Sequence, residues 1–169
     1  SCPNVVGLTS LQDISFLGEI VDKLLELRMY YDTYKPILLK VSPDLAHQQL
    51  DEIIDYCLRS GIDGIVAGNT TRSRDGITSI SQEKIEAIGN GGLSGAPVHK
   101  KNLELVNYVH TRSEGKLPII GVGGIMSPEQ AKAMLDAGAS LVEIYSGFIY
   151  EGPALIKNII KYLENDSKR

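Results

Sequence analysis

Pro118-Ile119-Ile120-Gly121-Val122-Gly123-Gly124-Ile125, echoed downstream by Ile144-Tyr145-Ser146-Gly147, sets the reading of this chain. In each stretch a short apolar strand runs into glycine, and a helix pattern follows. Glycine carries no Cβ and tolerates positive φ, so backbone amides can close on a ligand. The start of the next helix adds unpaired N–H groups and a partial positive charge, a combination suited to anions. Two such loops on the last two strands of the chain match the phosphate site that (β/α)₈ barrels build after strands seven and eight. The expected role is a grip on the phosphate of a cofactor or substrate.

Outward from these loops the same unit repeats. Upstream, Leu103, Val106 and Val109 mark a helix before Pro118, and Gly64-Ile65-Val66-Ala67-Gly68 reads as another strand. Before it, Leu50, Ile53, Ile54, Cys57 and Leu58 form one helical stripe. Pro36 to Val41 is apolar on both faces, as a buried parallel strand should be. Leu17, Ile20, Val21, Leu24 and Leu25 predict a leading amphipathic helix. Residues 69–100 form a longer connection, with a short helix at Gln82 to Ile88 and the loop Gly91-Gly92-Leu93-Ser94-Gly95.

Downstream, Ser127-Pro128-Glu129-Gln130 reads as N-cap, proline at N1 and an acidic first turn, and its helix stops at Ala137-Gly138. Ser140 to Tyr145 is the last strand. Pro153 then opens a helix carrying Leu155, Ile156, Ile159, Ile160 and Leu163 in step. The fold class is therefore α/β, with about four βα units after a leading helix. A closed eight-stranded barrel needs roughly 250 residues. The 169 residues are expected to form one domain, the C-terminal half of a (β/α)₈ (TIM) barrel, with the N-terminal half absent from this sequence. A doubly wound open sheet is disfavoured, because no G-x-G-x-x-G fingerprint follows a first strand.

Composition narrows the classes. Hydrophobic residues at 43% and charged residues at 22% fit a globular domain, and the net charge of −4 predicts no nucleic-acid partner. No apolar run approaches the ~20 residues of a membrane span. Cys2 and Cys57 are the two cysteines, so a disulfide scaffold is not expected and a reducing cytoplasm fits. Cys57 falls on an apolar helix face and reads as inert core. His47, His99 and His110 have no ligand-like spacing with cysteines or carboxylates, so no metal is expected.

Strand C-terminal ends face the active site in a barrel of this kind. Collecting them gives Lys40, Asn69, Thr70, Gly123, Gly124 and the run Tyr145 to Gly147. An ammonium within an apolar strand is costly unless an acceptor or anion faces it. Lys40 could therefore stabilise negative charge on an electron-poor ring, against the alternative of a side chain reaching out to solvent. Asn69-Thr70-Thr71 suits a planar imide or carboxylate, or simply caps a strand. Arg72, Arg74 and Asp75 read as a solvated loop. Cys2 could act as base or nucleophile if its surroundings lower a thiol pKa from ~8.5.

These residues together resemble dihydroorotate dehydrogenase. The likeness is carried by Ser1-Cys2-Pro3-Asn4, Val6 to Gln12, Leu39 to Leu45, Asn69-Thr70-Thr71, Gly91 to Gly95, Pro118 to Ile125 and Gly138 to Phe148. It runs across essentially the whole chain. Asn69-Thr70-Thr71 and Tyr145-Ser146-Gly147-Phe148 look most like the class 2, quinone-reducing branch. The resemblance implies an FMN-dependent barrel oxidising dihydroorotate to orotate in de novo pyrimidine (UMP) biosynthesis. Cys2 would be the catalytic base, removing the C5 proton while hydride leaves C6 for the flavin. Asn4, Asn69 and Thr70 would hold orotate. Lys40, Gly68, Gly95, Gly124, Tyr145 and Ser146 would hold FMN, Lys40 at the ring and the last three at the phosphate end.

Two positions depart from that branch, which usually has serine at Cys2 and a flavin-contacting threonine at Gly68. The family's other half carries further cofactor and substrate contacts and the helices that meet the membrane. The resemblance thus implies a cytoplasmic protein, peripheral on the cytoplasmic face of the inner membrane at full length, and inactivity of these 169 residues alone. Open parallel edges predict self-association. The competing readings are a flavin-free phosphate-binding barrel enzyme with a cysteine nucleophile, and a non-catalytic half-barrel that pairs with its own copy.

Overall fold

A computed structural model of the chain describes residues 9–75, 77 and 79–166. Four short strands, β1 (Leu38–Val41), β2 (Gly64–Ala67), β3 (Ile119–Val122) and β4 (Leu141–Glu143), form one parallel sheet in sequence order. Helices occupy the crossovers: α1 (Ile14–Arg28) leads into β1, and α2 (His47–Ser60) joins β1 to β2. Between β2 and β3 lie α3 (Gln82–Ile88) and α4 (His99–Arg112), and α5 (Pro128–Asp136) joins β3 to β4. After β4 come the short α6 (Ser146–Glu151) and α7 (Pro153–Asp166).

The strand register separates two faces. Leu39, Ile65 and Ile119 align across β1, β2 and β3, as do Val41, Ala67 and Gly121 one step on; Val142 continues that second row on β4. This face packs under the helices, and Ile65, Ala67 and Ile119 are fully buried there. The opposite row is Lys40, Val66, Ile120 and Leu141. Leu38 and Leu141 on that face stay exposed, Leu141 at 62%. Lys40 Nζ nevertheless lies 3.8 Å from a Glu143 carboxylate oxygen, although β1 and β4 are opposite edges of the sheet. Three parallel spacings of ~4.8 Å would separate those strands in a flat sheet, so the sheet curls toward its uncovered face, as a barrel wall does.

Local signals explain the helices. Ser127 Oγ accepts the Gln130 N–H at 3.4 Å, with Pro128 at the first helical position of α5. Leu50, Ile53, Ile54 and Cys57 of α2 are buried together, and α4 buries Asn102, Leu105, Val106 and Val109. The α4 stripe is thus one residue round from the expected one, with Leu103 at its margin.

The strands are shorter than expected, and β1 is not buried on both faces. As an edge strand it leaves Leu38 and Lys40 exposed. The two outermost helices bury only part of their apolar stripes. Ile20 and Leu24 on α1, and Ile156 and Ile160 on α7, are each more than 40% exposed, while Leu17, Val21, Leu155 and Ile159 are buried. No helix among the described residues is long and apolar enough to cross a membrane.

Candidate active site

The C-terminal ends of the four strands surround one cavity of ≈ 430 Å³. Its lining includes Lys40 from β1, Asn69 and Thr70 after β2, Gly123 and Gly124 after β3, and Glu143, Tyr145 and Ser146 at the end of β4. Ser94 and Gly95 reach it from the long connection. Six residues singled out in the sequence, Lys40, Asn69, Thr70, Gly95, Gly124 and Ser146, therefore meet in one place, and Tyr145 joins them while remaining 76% exposed. Gly68 does not line the cavity. A Cβ there would lie 2.1 Å from the Val122 carbonyl oxygen and 2.7 Å from Asn102 Oδ1, so the residue is packed behind the wall. Cys2 and Asn4 lie outside the described residues.

The loop after β3 shows why its glycines are there. Gly124 has φ 74°, and a Cβ on it would approach the backbone of His99 to 2.6 Å. The loop can therefore press against the start of α4 only as glycine. Burial holds the His99 imidazole below its usual pKa, opposed by a hydrogen bond with the Gly123 backbone.

The long connection is more ordered than a solvated loop. Thr71 and Leu93 exchange backbone hydrogen bonds at 3.1 and 2.7 Å. The Arg74 guanidinium donates to the carbonyls of Thr71, Gly89 and Gly91, so it ties the two arms of the connection together rather than facing water. Asp44, just after β1, accepts from Thr71 Oγ1 at 2.6 Å, Arg72 N–H at 2.7 Å and Lys101 Nζ at 2.5 Å. Burial pushes the Asp44 carboxyl up, but these donors and the Lys101 charge outweigh it and leave its pKa below the ordinary value. The clamp joins the ends of β1 and β2 to α4.

Three positions that shape the cavity or its surroundings were missed by reading the chain alone. Glu143 faces Lys40 on the inner wall, and the alternation of Leu141, Val142 and Glu143 on a strand was the available signal. Asn102 is fully buried on α4, where an asparagine within an apolar stripe was the hint. Arg74 gave no signal, because an arginine in a polar loop reads as solvated.

As a chemical set, the cavity offers the Lys40 ammonium with the Glu143 carboxylate beside it, the Asn69 amide, the Thr70 and Ser146 hydroxyls and glycine backbone. A flat heterocycle carrying a phosphate suits that donor set, and the volume is within the ~300–1,000 Å³ usual for cofactor sites. The residues present fit FMN on those grounds. Among the described residues no three His, Cys, Asp or Glu side chains cluster as a metal site.

A parallel β/α sheet in sequence order, curled toward its uncovered face and with a cavity at the strand C-termini, defines the class: part of a (β/α)₈-type scaffold. Residues 1–166 match the family model described as dihydroorotate dehydrogenase, and the chain belongs to that family. Dihydroorotate dehydrogenase (quinone) of Salinispora arenicola is 44% identical over 157 residues, covering 93% of this chain and 44% of that protein. The protein of the same name from Proteus mirabilis is 43% identical over 167 residues, covering 96% and 48%. The crystal structure of ligand-free DHODH from Eimeria tenella superimposes with a TM-score of 0.87 at 30% identity, over 98% of this chain and 49% of that one. The chain thus spans about half the length of these relatives, and its fold is half of a TIM barrel.

Proposed function

We propose that the protein containing this chain oxidises dihydroorotate to orotate in pyrimidine biosynthesis, with FMN as cofactor and a quinone as final acceptor. The observation that supports it most is the cavity, which gathers Lys40, Asn69, Thr70, Gly124 and Ser146 from four strand ends. When bound, FMN supplies the two-electron acceptor that none of the amino-acid side chains provides. Gly95, Gly124, Tyr145 and Ser146 would hold it, the last three at its phosphate end, and Lys40 would lie at the ring with its charge available to a developing anion. Gly68 supports this wall from behind.

Asn4, Asn69 and Thr70 hold the substrate's imide and carboxylate. Cys2 Sγ takes the proton from C5. The relatives named as quinone enzymes support a quinone partner; a lipophilic acceptor would be met at a membrane, and the proposed location of the full-length protein is the cytoplasmic face of the inner membrane. On this reading the 169 residues alone are inactive, because the inner face of the sheet has no opposite wall among the described residues.

The test is anaerobic mixing of the flavin-loaded full-length protein with dihydroorotate. Loss of the visible flavin band is expected, and Cys2→Ala should slow it by about 10²–10⁴-fold while retaining the flavin. Bleaching of Cys2→Ala at the wild-type rate at every pH would remove Cys2 from the proton transfer. Failure of the wild type to bleach would overturn the reading.

A further inference from the structure

We propose that Asn102, on α4 and outside the cavity, is a positioning residue for its substrate side. It acts by fixing the peptide of Asn69, and this rests on the reading of Asn69 and Thr70 as the grip on a planar cyclic imide acid. The β2–β3 ladder ends at the pair Ala67 and Gly121. Beyond it the strands part, and the side chain of Asn102 enters the gap. Its Oδ1 accepts the Asn69 N–H at 3.3 Å, and its Nδ2 donates to the Asn69 carbonyl at 3.1 Å. The carboxamide thus stands in for the missing strand partner at residue 69.

The gap is shaped for that amide. A Cβ at Gly68 would sit 2.7 Å from Asn102 Oδ1, and one at Gly123 would sit 2.1 Å from Nδ2. Any side chain on either flank would expel the amide from its seat. Asn102 is fully buried, so its donor and acceptor have no water to replace these bonds. Holding both the N–H and the C=O of one residue fixes its φ and ψ, and with them the direction of its Cα–Cβ bond. The Asn69 side chain then accepts the Thr70 N–H at 2.8 Å, which carries the constraint to the next substrate residue. Asn102 is not itself part of the cavity lining; it sets the aim of two residues that are.

The experiment is titration of the FMN-loaded full-length protein with orotate, followed by the flavin absorption spectrum. Asn102→Asp keeps the shape but replaces the donor to the Asn69 carbonyl by an acceptor. Its orotate dissociation constant should rise about tenfold or more, with flavin content unchanged. Asn69→Ala should also weaken orotate, and adding Asn102→Asp to it should cost little more, because the two act through one contact. A further full loss in the double variant, or binding by Asn102→Asp within about twofold of wild type, would overturn the proposal. Amide exchange gives a check that needs no variant. Asn69 N–H should be protected in the ligand-free protein, and rapid exchange there would also overturn it. A wild type whose spectrum ignores orotate contradicts the proposed function itself, whereas a responsive wild type with a normal Asn102→Asp contradicts only the role of Asn102.

Discussion

Lys40 and Glu143 show what a single side chain does in this site. Their ends are 3.8 Å apart, yet both side chains are about half exposed, so the pair contributes little to stability. Lys40→Ala should therefore shift stability by less than about 0.5 kcal/mol. It should cost about 1.5–3 kcal/mol in flavin affinity if the ammonium meets the ring, measured by flavin release from the full-length protein. Unchanged affinity would remove Lys40 from the cofactor. Lys40 was legible because a cation in an apolar strand demands a reason. Its partner was not, since only the curl of the sheet brings the end of β4 to β1.

Cys57 is 1% exposed, and burial pushes its thiol up to about 12. The folded form is therefore harder to ionise than the unfolded one, whose thiol titrates near 9. The contribution of this thiol to stability is fully present below pH ~9 and is lost as pH rises toward 12. At pH 8 the native thiol should resist a thiol-specific reagent until the chain is denatured. Modification of Cys57 at the rate of a free thiol, read by peptide mass, would contradict the buried assignment.

At the scale of elements, caps account for what could be read. Ser127, Pro128 and Gly138 bracket α5 as expected, because capping is local chemistry. Ser127→Ala should cost about 1 kcal/mol, seen as a lower thermal midpoint. Helix α2 begins less well. Ala46 at its N-cap has extended backbone and no side-chain acceptor, although Gln49 Oε1 accepts the Ala46 N–H at 3.2 Å. Ala46→Ser should add about 0.5–2 kcal/mol; no gain in the thermal midpoint would show that solvent already serves those amides. Helix α6 was not legible, because six residues are too short for a period to emerge. The order of the 69–95 connection was hidden too, since Arg74 and Asp44 act through contacts far apart in the chain.

At the scale of the molecule, the chain reads as a wall rather than a closed barrel. Strands β1 and β4 are both edges, Leu38 and Leu141 face the open side, and the outer stripes of α1 and α7 are uncovered. The helical period was correct at Ile20, Leu24, Ile156 and Ile160, but periodicity reports an apolar face, not what covers it. Sedimentation of the 169-residue chain should reveal self-association as concentration rises; a monodisperse monomer would contradict that expectation.

The central claim is that the strand-end cavity is where cofactor and substrate meet. A crystal structure of the full-length protein with FMN and orotate tests it most directly. The phosphate is predicted at Gly124 and Ser146, the ring at Lys40, and orotate at Asn69 and Thr70. A flavin bound elsewhere, with this cavity holding only solvent, would contradict the account.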